Sequence, residues 1–173
     1  MKPKIQILVG MISSGKSTYA KLAAQCGAVI INDDNIVNSV HANQYELYDP
    51  NLKLLYKTIE NTTLSLALSL GKNVVIDRGV DVDPQSRKRW IDLARAYDVP
   101  IEAMCFGVCS PEIHAKRRYE ADNRGHDYSY WLAVARKHYD SYSVPELNEG
   151  LTNVYGVVFA YLELKAVKGL LDA

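Results

Sequence analysis

Residues Gly10 to Thr18 read G-M-I-S-S-G-K-S-T and complete the pattern G-x-x-x-x-G-K-[ST]. Glycines at 10 and 15 let the backbone turn tightly, so that successive N–H groups converge on phosphate oxygens. Lys16 supplies a mobile positive charge for the β- and γ-phosphates, and the Ser17 hydroxyl can ligate Mg²⁺. The expected nucleotide contacts are therefore Gly10, Ser13, Ser14, Gly15, Lys16, Ser17 and Thr18. Such a loop does not by itself separate kinase, ATPase and GTPase. The base-reading motif N-K-x-D does not occur downstream, which makes ATP the expected donor.

The other polar residues narrow the chemistry. Asp33 and Asp34 follow Lys16 by a distance that one helix and one strand fill, which can return them beside the loop. A carboxylate there can orient an acceptor hydroxyl and take its proton late in transfer, and in-line positioning matters more than basicity in a loose transition state. Asp33 is expected to face the cleft, leaving Asp34 on the acceptor side or capping the next helix. Asp77 closes a V-V-I-D strand, a position suited to holding Mg²⁺ through a water or to binding the acceptor, and Arg78 follows it toward the acceptor. Arg117, Arg118 and Arg124 bracket a break at 123–125, as a lid that closes over phosphates would require. Of these, Arg117 and Arg124 are the expected catalytic cations. Tyr45 and Tyr48, with His41, could line an acceptor cleft and stack on a base, or simply pack a loop. Arg87, Lys88 and Arg89 read by default as a solvated helix face, and His126 as a surface residue.

These side chains need elements to carry them. Ile5 to Val9 is a short apolar run ending in glycine, as in a strand buried on both faces. Further strands are expected at 28–31, 73–77, 100–107 and 153–158. Helices are expected at 18–25, along a three- and four-residue apolar stripe from Leu52 to Leu70, from Pro84 behind an Asp83 cap to about Tyr97, from Ser110, at 128–142, and at the end to about Leu171. Alternating strands and helices indicate a three-layer α/β fold around a central parallel five-stranded sheet, with a helical lid at about 115–130. Ligands of such folds sit at the carboxyl ends of the strands.

Composition bounds the rest. The 173 residues suit one domain spanning 1–173, and 20 basic against 20 acidic residues give zero formal net charge. That argues against a constitutive polyanion binder, though a local basic cleft is compatible with it. Cys26, Cys105 and Cys109 have no paired metal-ligand spacing and are expected as buried thiols in a reducing compartment. No apolar run reaches the length of a membrane span. No membrane partner and a cytoplasmic location are the expectations.

With loop, strand-end aspartates and lid in place, the chain resembles the P-loop kinase domain of bacteriophage-type polynucleotide 5′-kinases, within the adenylate-kinase-like group of small kinases. The residues that carry the likeness are G-M-I-S-S-G-K-S-T (10–18), I-N-D-D (31–34), V-V-I-D (74–77) with D-P-Q-S-R-K-R-W (83–90), and A-K-R-R to N-R-G (115–125). The resemblance implies a P-loop kinase fold and transfer of phosphate from ATP, with Mg²⁺, to a hydroxyl. It implies that Asp33 activates a 5′-hydroxyl and that Arg117 and Arg124 touch the ATP phosphates. The family's catalytic arginine falls on Ile36, which leaves Arg78 as the substitute cation. The phosphatase domain often fused to these kinases is not expected in this chain. A nucleic-acid hydroxyl is the expected acceptor. A nucleoside, sugar or other metabolite, or a hydroxyl on a modified DNA base, is the alternative.

Overall fold

The computed structural model describes residues 2–122 and 124–156. Five strands, β1 (Ile5–Val9), β2 (Val29–Ile31), β3 (Val74–Ile76), β4 (Ile101–Cys105) and β5 (Asn153–Gly156), form one sheet in the order β2-β3-β1-β4-β5. Every pairing is parallel. The helices are α1 (Lys16–Gln25), α2 (Asp33–Val40), α3 (Lys53–Ser69), α4 (Pro84–Ala96), α5 (Pro111–Glu120) and α6 (Tyr128–Ser141). The expected terminal helix, and 157–158 of the expected last strand, lie outside the described residues.

Alternation along β1 sorts the core into two layers. Ile5, Ile7 and Val9 face the layer that holds Leu64 and Leu68 of α3 and Trp90, Ile91 and Ala94 of α4. Leu8 faces the other, where Tyr19, Ala20 and Ala23 of α1 pack with Val75, Met104 and Phe106. Gln6 shares that second face and is buried because its amide is used twice: it donates to Glu102 and accepts from the Tyr19 hydroxyl. A third cluster, Met11, Ala115, Trp131 and Ala135, seats the α5–α6 pair on the loop after β1. Among the described residues no helix is long and apolar enough to cross a membrane.

The helix signals operate locally as expected at α4, where the Asp83 side chain accepts from Ser86 N and Pro84 occupies the first turn. At α2 the cap is neither aspartate. Asn32 accepts from Asn35 N, which places Asp33 and Asp34 together inside the first turn. The cysteines are half-buried thiols outside any disulfide, more accessible than expected.

The basic cluster in α4 departs from its sequence reading. Arg87 is fully buried and forms a two-pronged pair with Glu149, at 2.6 and 2.8 Å, with further bonds to Ser143. Arg89 reaches Glu60 and Asn61, and only Lys88 is a solvated charge, paired with Asp92. Helical periodicity explains why: residues 87, 90, 91 and 94 share the inward face, so Arg87 goes in with Trp90. Removing one partner of a buried ion pair leaves the other charge uncompensated. Glu149→Gln should therefore lower the unfolding free energy by about 3–5 kcal/mol in chemical denaturation, whereas Lys88→Ala should change it by less than about 1 kcal/mol.

Candidate active site

Between β1 and α1 the chain makes the tight loop that its glycines predict. A Cβ on Gly10 would lie 2.8 Å from Phe106 Cβ and 2.9 Å from Ser14 Oγ, so no side chain fits there. Ser13 and Gly15 take left-handed backbone, φ 51° and 102°, and α1 begins directly at Lys16 with no side-chain cap and no acid in its first turn. Uncapped N–H groups at a helix start are an anion site when a loop aims further amides at the same point. Ser14 Oγ adds a second signal: it is buried with no hydrogen-bond partner. Lys16 is buried, and its amine donates to Gly10 O and Met11 O at 2.7 Å each. Burial lowers its pKa to about 8, against the opposing pull of Asp77, Asp81 and Asp33. A phosphate would exchange these carbonyl bonds for an ion pair. The cradle, the orphaned hydroxyl and the desolvated lysine together fit a nucleotide triphosphate.

The loop opens into a cleft of about 770 Å³, ample for a nucleotide and a second ligand. It is lined by residues 12–18 of the loop, by Asn32, Asp33 and Asp34 beyond β2, by Asp77 beyond β3, and by the α5–α6 pair. Parallel strands ending at one edge bring these groups together across more than sixty residues of chain. Asp77 is buried beside Asn32, whose amide donates to the Asp77 carbonyl at 2.8 Å and approaches its Oδ2 at 3.3 Å. Ser17 and Asp77 both line the cleft and could share Mg²⁺. Among the described residues no three His, Cys, Asp or Glu side chains form a ready metal cage. Mg²⁺ at phosphates commonly uses one or two carboxylates with phosphate oxygens and water.

Asp33 lies on the cleft wall with its pKa raised, chiefly by burial, against the opposing effect of Arg78. Arg78 does not line the cleft. Its guanidinium turns inward among Asp33, Glu60 and Asp81. Asp34 meets Arg124 of the lid at 2.5 Å, and that guanidinium also lies 4.0 Å above the Tyr45 ring. Tyr45 stacks on Tyr48, Tyr48 on Tyr56, and Tyr56 binds His41. The tyrosines are thus a packed ladder of which Tyr45 alone lines the cleft.

On the lid, Arg117 is exposed and lines the cleft. Arg118 lies 4.4 Å over Trp131 and 3.9 Å from Asp122. His126, read as a surface residue, is exposed but stacks on Tyr130 at the cleft mouth. Sequence reading missed Asn32 as cap and Asp77 partner, Glu60, Asp81 and His138. His138 lines the cleft with a pKa lowered to about 4 by burial and by Lys16, so it is neutral at physiological pH. Its only sequence signal is its helical spacing from Trp131 and Val134, which share its wall.

A family model described as an AAA domain matches residues 5–139. The chain belongs to that family and has a P-loop kinase fold. Over 161 residues, 92% of the chain, it is 30% identical to the bifunctional polynucleotide phosphatase/kinase of Schizosaccharomyces pombe, and it spans 35% of that relative's length. Its fold is similar to that of a putative kinase from Chloroflexus aurantiacus, with TM-score 0.68 and 15% identity over 98% of both chains. It is also similar to a chain of the Pnkp1/Rnl/Hen1 RNA repair complex, with TM-score 0.63 and 21% identity over 82% of this chain and 46% of that one.

Proposed function

We propose that this protein is an ATP- and Mg²⁺-dependent kinase that phosphorylates a hydroxyl of a nucleic acid, at a 5′ end, through a single kinase domain. The observation that supports the reading is that Lys16 and Asp33 line one and the same cleft. In this reading the triphosphate rests on the loop amides, with Lys16 on the β- and γ-phosphates and Arg117 over them from the lid. Arg124 joins once released from Asp34. Mg²⁺ held between Ser17 and Asp77 would offset charge on the phosphates. Asp33 accepts the hydroxyl hydrogen bond and aims the oxygen in line with the γ-phosphorus. As the new O–P bond forms, the bond to the β-bridging oxygen breaks. The proton passes to Asp33, and ADP leaves with the electron pair. The sequence likeness to a polynucleotide phosphatase/kinase supports a nucleic-acid acceptor.

One observation favours the small-molecule alternative. The acceptor side presents Asp33, Asp34 and Asp77, while Arg78 is committed to buried acids. A panel of γ-labelled ATP with 5′-hydroxyl DNA and RNA oligonucleotides, nucleosides and sugars decides between them. Label on oligonucleotide 5′ ends is the expected result. Label on nucleosides or sugars alone would replace the nucleic-acid reading.

The raised pKa of Asp33 sets a pH expectation. Transfer needs the carboxylate ionised, so kcat should fall as pH drops through a value above the ordinary carboxylate range. Profiles at saturating ATP would show that acid limb in the wild type and its absence in Asp33→Asn. An acid limb shared by both proteins would assign it to another group.

A further inference from the structure

Against Asp33 lies a charge cluster that no motif announces. Arg78 Nε stands 3.5 Å from Asp33 Oδ2 and 3.4 Å from Glu60 Oε1, and its Nη1 is 3.7 Å from Asp81 Oδ1. The Glu60 and Asp81 side chains are 3% and 0% exposed. One arginine is therefore gripped by two interior anions and offered to one carboxylate of the cleft. Both interior anions are tied by second partners. Arg89 holds the other Glu60 oxygen while lying 4.4 Å over Trp90, and the Trp90 indole N–H donates to Asp81 Oδ2 at 3.2 Å.

Three carboxylates and two guanidiniums at a strand end are a poor way to build stability, because desolvation offsets much of their attraction and apolar side chains would pack as well. The contacts are also incomplete: Arg78 Nε and Asp81 Oδ1 are buried without hydrogen-bond partners. Arg78 directly follows Asp77 at the end of β3, close to where the phosphates would sit. Untethered, its guanidinium would be drawn toward that negative charge and away from Asp33. Glu60 and Asp81 supply the opposing pull.

We propose that Glu60 and Asp81 are positioning residues for phosphoryl transfer. They hold Arg78 against Asp33 and thereby fix the direction from which that carboxylate meets the acceptor hydroxyl. This rests on the reading of Asp33 as the acceptor-side base.

A double-mutant cycle on the full chain tests it, with γ-labelled ATP and whichever acceptor of the panel the wild type phosphorylates best. Glu60→Gln and Asp81→Asn should each lower kcat about tenfold, as expected for a misplaced reacting group, with KM for ATP unchanged within about twofold. In an Asp33→Asn background, read by single turnovers at high enzyme concentration, the same substitutions should cost less than about twofold, since the group they position is gone. Equal losses in both backgrounds, or losses confined to KM for ATP, would overturn the proposal. Should a buried-acid variant melt below the assay temperature, Arg78→Lys serves instead, because it keeps the charge but loses the fork. It should show the same pattern, and wild-type kcat in Arg78→Lys would overturn the proposal. No transfer by the wild type to any acceptor would remove the kinase reading and this proposal with it, whereas an active wild type with additive variants would strike the positioning alone.

Discussion

Asp33→Asn lowers kcat by roughly 10²- to 10⁴-fold, the range for loss of a positioned general base, and leaves ATP affinity nearly unchanged. Asparagine matches the carboxylate in shape, so the cleft keeps its form, but the amide cannot take the acceptor proton. The nucleotide cradle is built from the loop and from α1, and neither hydrogen-bonds to Asp33. The stability effect runs opposite to the activity effect. Burial and the neighbouring Asp34 and Glu60 raise the folded pKa of Asp33 despite Arg78. Above that pKa the folded state carries a charge that the unfolded chain holds more easily, and stability is lost as pH rises from the unfolded value through the folded one. A neutral side chain removes that penalty, so the melting temperature at neutral pH holds or rises. Rate, nucleotide binding and melting measured on one preparation check all three parts. Lost ATP binding with full transfer at saturation would show that this carboxylate serves the donor.

Lys16→Ala should produce the other large effect, a fall in kcat/KM for ATP of roughly 10²- to 10³-fold, comparable to losing one preorganised donor to a developing charge. Its amine is buried and already desolvated, which makes an ion pair with phosphate stronger than at an exposed site. Unlike Asp33→Asn, this change should also weaken equilibrium binding of ATP, because the lysine meets the phosphates in the ground state as well. Transfer at the wild-type rate by Lys16→Ala would place the triphosphate elsewhere.

The two readings differ in how far sequence could carry them. The phosphate loop was legible because its parts are consecutive: glycine spacing, a lysine and a hydroxyl act through local backbone geometry. The five strands were legible too, since short apolar runs alternating with helical stripes permit few other arrangements. Their ends were less so. Asn32 rather than an aspartate caps α2, because the three residues compete for one position and their propensities are nearly equal.

Interactions at long range were illegible. Glu60 stands on a stripe that reads as an ordinary helix face, and Asp81 as one more loop acid, yet both converge on Arg78. Arg87 looked solvated until α4 turned it inward onto Glu149, sixty-two residues away. Nothing near Arg124 in the sequence announces its contacts with Asp34 and Tyr45, ninety and seventy-nine residues earlier.

The amino-acid order alone determined the nucleotide cradle and the parallel layering, since backbone conformation and hydrophobic period are properties of neighbouring residues. Only the folded chain decided which charge faces which. Ion-pair choice depends on distances between segments remote in sequence, and on a burial that no side chain carries within itself.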